Sequence, residues 1–156
     1  VGELMKGFMS KRPLLPERRS ALESAFQEEG AYLADHLQGA LPAISLVSHS
    51  ALTTAYANDV AADMVFAQQV YGLAKPEDVL LAVSTSGNSA NVVRAVQVAR
   101  ALEVAAIGLT GSGGGRLAEL CTVTIRVPWT STPDIQERHL PIYHTLCRMV
   151  EQDYFG

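Results

Sequence analysis

Residues 84–89 have the sequence Ser84-Thr85-Ser86-Gly87-Asn88-Ser89. They follow an apolar run, Asp78–Val83, that predicts a buried β-strand, and they precede an amphipathic run, Ala90–Leu102, that predicts an α-helix. A helix N-terminus offers unpaired N–H groups and a partial positive charge, so anions bind there favourably. The four hydroxyl groups add hydrogen-bond donors, and the glycine lets the backbone approach a ligand closely. The turn is therefore predicted to bind a phosphate group.

The residues that the turn lacks indicate which class of phosphate compound it binds. It has no Gly-Lys-[Ser/Thr] signature, so it is not the P-loop of a nucleotide-binding protein. A cup of hydroxyl groups without a lysine suits a sugar monophosphate better than a triphosphate with its magnesium ion. The alternative is a polar turn in which Ser89 only caps the following helix, but a cap needs one hydroxyl group and this turn has four.

Composition bounds the class of protein. The chain has 156 residues, 48% of them apolar, which is enough for one domain with a proper core. The net charge of −4 and the lack of a basic face argue against nucleic acid as the main ligand. Four basic residues cluster among prolines and are predicted to lie in a solvated loop: Lys11, Arg12, Arg18 and Arg19. No apolar run has the length of a membrane span and no signal peptide is visible, so no membrane partner is expected.

The two cysteines, Cys121 and Cys147, lie inside apolar segments, and no Cys/His cluster has zinc-finger spacing. This pattern predicts a cytoplasmic protein with two buried, reduced thiols.

Strand-like and helix-like runs alternate along the chain, which indicates an α/β fold with a parallel sheet. The predicted strands are Pro42–Val47, Val79–Val83, Ala105–Leu109 and Thr122–Val127. The predicted helices are Ala61–Leu73, Ala90–Leu102, Arg116–Leu120 and Asp134–Tyr154. Ligands of such sheets bind at the carboxyl ends of the strands. Residues 84–89 lie at one such end, and the glycine-rich run Thr110–Gly115 lies at another.

The N-terminal quarter departs from this alternation. Residues 1–8 read as a helix already under way, so the natural chain is expected to begin earlier. Residues 10–41 read as a helical insertion of one or two helices, in which Gly30 interrupts the apolar spacing. The insertion is expected to pack on the main domain or on another subunit, with a lid as the less favoured alternative.

Several motifs in order resemble the sugar isomerase (SIS) fold, and within it the phosphoheptose isomerase family. They are Asp78–Val92, Ile107–Gly111 with Gly114–Cys121, Ala57–Asp59 with Phe66 and Gln69–Val70, and Ile135–His139 with His144. The resemblance implies a flavodoxin-like, three-layer αβα domain with five parallel strands, assembled as a homotetramer or a dimer. The strand that the sequence does not show is expected to precede Val1.

The same resemblance supplies roles for residues. Glu3 and His144 match the catalytic glutamate and histidine, and the sequence does not decide which of them is the base and which the acid. Taken alone, Glu3 reads as a surface acid and His144 as a core histidine. The residues matched to substrate and phosphate binding are Ser84, Thr85, Ser86, Ser89, Asn58, Asp59 and Gln136. Taken alone, Asp59 reads as a helix cap.

A divalent metal, commonly zinc, is implied as well. Its ligands would be Glu3, Gln136, His144 and a residue four positions before Glu3. Gln136 and His144 are eight residues apart and share one helix face, whereas His139 lies off that line. The family often has an acid three residues before the glutamine, where this chain has Pro133, and this leaves the exact sugar open.

The activity so implied is the isomerisation of sedoheptulose 7-phosphate to D-glycero-D-manno-heptose 7-phosphate through an enediol, a step toward the heptose of bacterial lipopolysaccharide. Two alternatives stay open: an isomerase of another sugar phosphate, and a non-catalytic SIS protein that acts as an adaptor for a replication initiator or as a regulator. Retention of Glu3, Gln136 and His144 favours the enzyme. The spacing Gly113-x-Gly115-x-x-Ala118 fits a loose dinucleotide fingerprint, but the next strand ends without the ribose-binding acid.

Overall fold

The computed structural model describes residues 1–156, which form two compact units. The first unit comprises Val1–Ile44 with Ile142–Gly156, and the second comprises Ser45–Pro141. The helices are α1 (Gly2–Met5), α2 (Pro16–His36), α3 (Ser50–Tyr56), α4 (Val65–Leu73), α5 (Ala90–Ala101), α6 (Leu117–Leu120) and α7 (Thr132–Phe155). The strands are β1 (Val79–Val83), β2 (Ala105–Thr110) and β3 (Val123–Arg126). None of the helices is both long and apolar enough to cross a membrane.

The three strands of the second unit form a parallel sheet in the order β1-β2-β3. Val79 pairs with Ala105, and Ile107 pairs with Val123. The predictions of these strands, of a parallel sheet and of the helices on both sides of it are confirmed. Because all three strands run in the same direction, the turns after β1 and β2 emerge at the same edge of the sheet.

The predicted strand Pro42–Val47 is wrong, since these residues form no regular structure. Apolar composition alone does not make a strand, because a strand exists only where a neighbouring backbone completes its hydrogen bonds. Here the Leu46 carbonyl accepts a hydrogen bond of 2.9 Å from the side chain of Gln69. The sheet therefore has three strands in the structure, rather than the four read from the sequence.

The helix predicted over Ala61–Leu73 is also different in detail. The helix α3 was not predicted, and it continues into a π-helical turn, Ala57–Ala61, and a 3₁₀ turn, Ala62–Met64, before α4 begins. Asn58 and Asp59 therefore lie inside a helical run rather than ahead of the helix predicted to begin at Ala61. Isolated π turns are rare and occur often at functional sites.

The core of the second unit is organised around α5, which packs on two sides. Its Val93 and Val96 pack with Ala82 of β1 and Ala106 of β2. Its Ala95 and Ala99 form a second cluster with residues Val70 and Val104. This two-sided burial fixes the start of α5 at the carboxyl end of β1.

The helical structure predicted within residues 10–41 is present in the first unit as α2. The helix α2 breaks at Gln27, whose φ is 51°, and its two halves fold back on each other. An ion pair between Arg19 and Asp35 joins the halves across 16 residues of sequence. A Cβ atom at Gly30 would overlap the Leu22 carbonyl oxygen, so glycine permits this close approach. The helix α1 ends at Met5, which is shorter than the helix predicted over residues 1–8.

Candidate active site

The turn after β1 is held in shape by its own hydroxyl groups. Ser84 is buried and its N–H donates to the Leu109 carbonyl at 3.1 Å, which extends the pairing of β1 with β2 by one residue. The hydroxyl groups of Ser84 and Ser89 are 2.9 Å apart and share a hydrogen bond across the turn. The Ser86 hydroxyl accepts a hydrogen bond of 3.1 Å from the Asn88 N–H. Residues 84–89 therefore form a closed cup rather than an open loop.

The glycine-rich turn after β2 interlocks with this cup. The Gly111 N–H donates to the Thr85 carbonyl at 2.9 Å, and the Leu117 N–H donates to the Gly87 carbonyl at 3.1 Å. The Asn88 side chain accepts a hydrogen bond of 3.0 Å from the Arg116 N–H. Gly87 has φ of 67°, and a Cβ atom there would overlap the Gly114 carbonyl oxygen. The two turns are thus one rigid feature at the edge of the sheet.

The first N–H groups of α5 receive no side-chain cap. Ser89 occupies the N-cap position, as the alternative predicts, but its hydroxyl group bonds Ser84 instead of an N–H group of the helix. The N–H groups of Ala90 and Asn91 have no acceptor within the helix, since they belong to its first turn. Donors of this kind, beside exposed hydroxyl groups, are what an anion at a helix start needs.

Asn58 and Asp59 are exposed on the π-helical turn. Neither helical segment that follows has a side-chain cap, so the reading of Asp59 as a cap is wrong. Asp63, four residues later, forms an ion pair with Arg94 of α5. This pair links the segment that carries Asn58 and Asp59 to the helix that starts at the cup.

The first half of α7 is anchored at the end of β2. Ile135 is buried and packs against Gly111, and His139, one turn later, is buried with its Nε2 atom 3.3 Å from the Thr110 carbonyl oxygen. A carbonyl only accepts, so Nε2 carries the proton and donates it. Gln136 is exposed on the same helix. The anchor was missed from the sequence, although Ile135, His139 and Ile142 follow the spacing of a buried helix face.

Glu3 and His144 both lie in the first unit and are both half-buried. The His144 ring lies against Phe8, with centroids 5.4 Å apart, and edge-on to Tyr143 at 4.9 Å. Burial raises the pKa of Cys147, one turn after His144, and the negative charge of Glu3 raises it further. The Glu3 backbone is connected to α7 through Arg12, which donates to the Glu3 carbonyl group at 2.9 Å and bonds Glu151 of α7 at 2.8 Å.

Arg12 is not in a solvated loop, so that prediction is wrong. It is 1% exposed, and its guanidinium group bonds Glu151 on α7 at 2.8 Å. Its Nη1 and Nη2 atoms donate to the carbonyl groups of Leu4 and Glu3 at 2.8 and 2.9 Å. Three acceptors surround the guanidinium group, so Arg12 is buried without an unpaired charge. These acceptors are distant in sequence or belong to the backbone, so the composition around Arg12 does not predict its burial.

Comparison with known proteins agrees with this arrangement. The family model described as SIS domain matches residues 21–111. The phosphoheptose isomerase of Rhodospirillum rubrum is 47% identical over 127 residues, which are 81% of this chain and 66% of that protein. The structure of phosphoheptose isomerase GmhA from Neisseria gonorrhoeae matches with a TM-score of 0.67 and 36% identity, over 81% of this chain and 70% of that one. A phosphoheptose isomerase structure from Francisella tularensis gives a TM-score of 0.70 and 37% identity, over 87% and 69%.

This chain belongs to the phosphoheptose isomerase family of SIS domain proteins. It spans 66% of the length of the Rhodospirillum rubrum relative and 60% of that from Aliarcobacter butzleri, which is 45% identical over 113 residues. The family predicted from residues 78–92 and the later motifs is thereby confirmed.

The side chains that the family resemblance implies as zinc ligands can be compared with the donors that zinc prefers. No group of three or more His, Cys, Asp and Glu side chains stands close enough together to hold an ion. The implied set contains only two such residues, Glu3 and His144, with the amide of Gln136 as the third donor. A carboxylate oxygen, an amide oxygen and an imidazole nitrogen are compatible with zinc, although the amide is a weak ligand.

The lowered pKa of Glu151 predicts how the stability of the first unit depends on pH. Its carboxylate accepts hydrogen bonds from the N–H groups of Phe8 and Met9 and from Arg12, and the bond from Phe8 has the largest effect in lowering its pKa from 4.5 to about 2. A lowered pKa stabilises the fold above the unfolded value, and that stability is lost as the pH falls toward the folded value. We expect the wild type to lose stability between about pH 5 and pH 2 more steeply than Glu151→Gln, as urea unfolding at each pH would measure. Parallel curves for the two proteins would contradict this.

Proposed function

We propose that the full-length protein is a phosphoheptose isomerase, which converts sedoheptulose 7-phosphate to D-glycero-D-manno-heptose 7-phosphate. The observation that carries the proposal is the cup at Ser84–Ser89, closed by its own hydroxyl groups and joined to the uncapped start of α5. A dianionic sugar phosphate fits such a cup, and membership of the family supplies the reaction.

The reaction is a proton transfer between two neighbouring carbons. The base removes a proton from C1 of the ketose, and the electron pair moves to give an enediol as the C2 oxygen takes up a proton. Return of a proton to C2 and loss of the proton on O1 give the aldose, so no atom or electron is gained or lost. We assign the carbon-bound proton to Glu3 and the oxygen-bound protons to His144; the exchanged assignment gives the same products. Positioned acids and bases of this kind contribute about 10²–10⁴-fold each.

The phosphate group is bound, in this proposal, by the hydroxyl groups of Ser84, Thr85, Ser86 and Ser89 and by the first N–H groups of α5. Asn58, Asp59 and Gln136 are proposed to contact the sugar. A zinc ion is proposed as a cofactor, with Glu3, Gln136 and His144 as residues that would serve as its ligands; when bound, it would polarise the carbonyl group.

The proposal is tested by incubating the full-length protein with sedoheptulose 7-phosphate and identifying the products by NMR, with and without a chelator. Appearance of the aldoheptose phosphate is the expected result, and a loss of rate with chelator that added zinc restores would support the metal. Binding of the sugar phosphate without turnover would overturn the isomerase and favour a phosphosugar-binding regulator. Turnover of only a different ketose phosphate would overturn the heptose assignment alone.

Removal of hydroxyl groups from the cup should weaken binding. We expect Ser86→Ala combined with Ser89→Ala to lower the affinity for sugar phosphate by about 10²- to 10⁴-fold, because each of the two lost hydrogen bonds to a charged group contributes about 1.5–3 kcal/mol. Isothermal titration would measure this. Ser20→Ala, an exposed serine of α2 in the other unit, is the control. Unchanged affinity in the double variant would place the phosphate elsewhere.

Assembly and location are proposed on the same basis. A homotetramer, or a dimer, is the assembly proposed, and sedimentation of the full-length protein would measure its mass. Both cysteines are unpaired, which supports the proposed cytoplasmic location. Synthesis of lipopolysaccharide heptose is the pathway proposed.

A further inference from the structure

We propose that Arg12 and Glu151 form a positioning pair that holds the turn carrying Glu3 against the helix carrying His144. The inference rests on the proposed function, because it concerns the two residues to which proton transfer is assigned there. All of its members lie in the first unit.

The helix α1 is too short to fix Glu3 by itself. It has four residues, and an isolated helix of one turn is unstable in water. Its last carbonyl groups accept no hydrogen bond from within the helix, so they need donors from elsewhere. Arg12 supplies two of them, with Nη2 on the Glu3 carbonyl at 2.9 Å and Nη1 on the Leu4 carbonyl at 2.8 Å. The planar guanidinium group thus fixes the backbone of Glu3 itself.

The other side of the guanidinium group is tied to α7. Its Nε atom donates to Glu151 at 2.8 Å, and its central carbon lies 4.7 Å from the centre of the Phe155 ring. Glu151 is on the same helix as His144, seven residues later, which is two helical turns. Arg12 therefore bonds the Glu3 backbone and the His144 helix simultaneously.

Glu151 adds a second link between the same two parts. Its two carboxylate oxygens accept hydrogen bonds from the N–H groups of Phe8 and Met9, at 2.8 and 2.7 Å. Phe8 in turn lies against the His144 ring. The buried ion pair therefore holds the backbone at residues 3–4 and at residues 8–9, and Phe8 in the second of these segments packs on the proposed catalytic histidine. Each nitrogen of the Arg12 guanidinium group and each carboxylate oxygen of Glu151 has a hydrogen-bond partner, and a buried pair bonded in this way favours one geometry, which catalysis requires.

The decisive variant is Arg12→Lys in the full-length protein. Lysine keeps the charge for Glu151 but has no planar fork, so it cannot serve Glu151 and both carbonyl groups in the same geometry. We expect kcat for the sugar phosphate to fall about 10- to 100-fold, because a displacement near 1 Å can cost about that much, while KM changes less than about threefold. Arg19→Lys is the matched control, since Arg19 forms exposed ion pairs in the same unit without touching Glu3.

A second measurement separates this inference from the proposed function. Amide hydrogen exchange should become faster in Arg12→Lys at residues 4, 5, 8 and 9, and should stay unchanged there in Arg19→Lys. If the wild type shows no isomerase activity, the proposed function fails, and the exchange result alone then supports or overturns the positioning role. If the wild type is active, an unchanged kcat in folded Arg12→Lys overturns the inference. A fall in kcat explained wholly by the unfolded fraction at the assay temperature overturns it as well.

Discussion

His144→Ala is expected to lower the turnover of the full-length protein by about 10³-fold or more, with the affinity for sugar phosphate changed by less than about threefold. The imidazole is assigned a proton in the transition state, so its loss acts on kcat rather than on binding. The proposed phosphate cup belongs to the second unit, and the hydrogen bonds that shape it join residues 84–117 to one another.

The variant should remain folded, which keeps the experiment informative. His144 is half-buried between the rings of Phe8 and Tyr143, so its truncation should cost about 1–3 kcal/mol of stability, as is usual for a large-to-small change at such a site. His36→Ala is the control, because this exposed histidine of the same unit stacks on Tyr32 and is assigned no role. We expect the variant to lose turnover and to bind the sugar phosphate with nearly the wild-type affinity, as a binding titration would measure. A His144→Ala protein with wild-type turnover would remove the catalytic assignment.

Local sequence patterns predicted those parts of the fold that local forces decide. The run of apolar residues before Ser84 and the helical spacing after Ser89 placed β1 and α5 within one residue of their observed bounds. A strand, a turn rich in hydroxyl groups and a helix are specified by neighbours in sequence, so the cup could be found without coordinates. The glycine-rich turn beside it followed from the same rule about parallel strands.

Parts decided by distant partners could not be predicted in this way. Arg12 and Glu151 are 139 residues apart, and nothing near either one distinguishes a buried arginine from a solvated one. The run Pro42–Val47 has the composition of a strand, but its backbone finds a side chain, Gln69, in place of a neighbouring strand. His139 is an intermediate case, because its spacing from Ile135 marks a buried face while its bond to Thr110 depends on the tertiary fold.

Gly87→Ala is expected to destabilise the second unit by about 3 kcal/mol or more and to lower the affinity for sugar phosphate by at least about 100-fold. Two effects add at this position. The φ of 67° costs a residue with a Cβ atom about 1–2 kcal/mol. The added atom would also overlap the Gly114 carbonyl oxygen, so the two turns must separate to admit it.

That separation explains why binding should suffer more than stability. Moving the turns apart strains the hydrogen bonds from Leu117 to Gly87 and from Gly111 to Thr85, which set the shape of the cup. A cup opened by even 1 Å no longer directs its hydroxyl groups and the α5 N–H groups at one phosphate, because hydrogen bonds weaken steeply with distance and angle. Gly113→Ala is the matched control, since a Cβ atom there meets no atom within 4 Å in the same turn. Urea unfolding and titration with sugar phosphate should leave Gly113→Ala near the wild type, and a Gly87→Ala protein that binds as tightly as this control would show that the interlocked turns do not form the phosphate site.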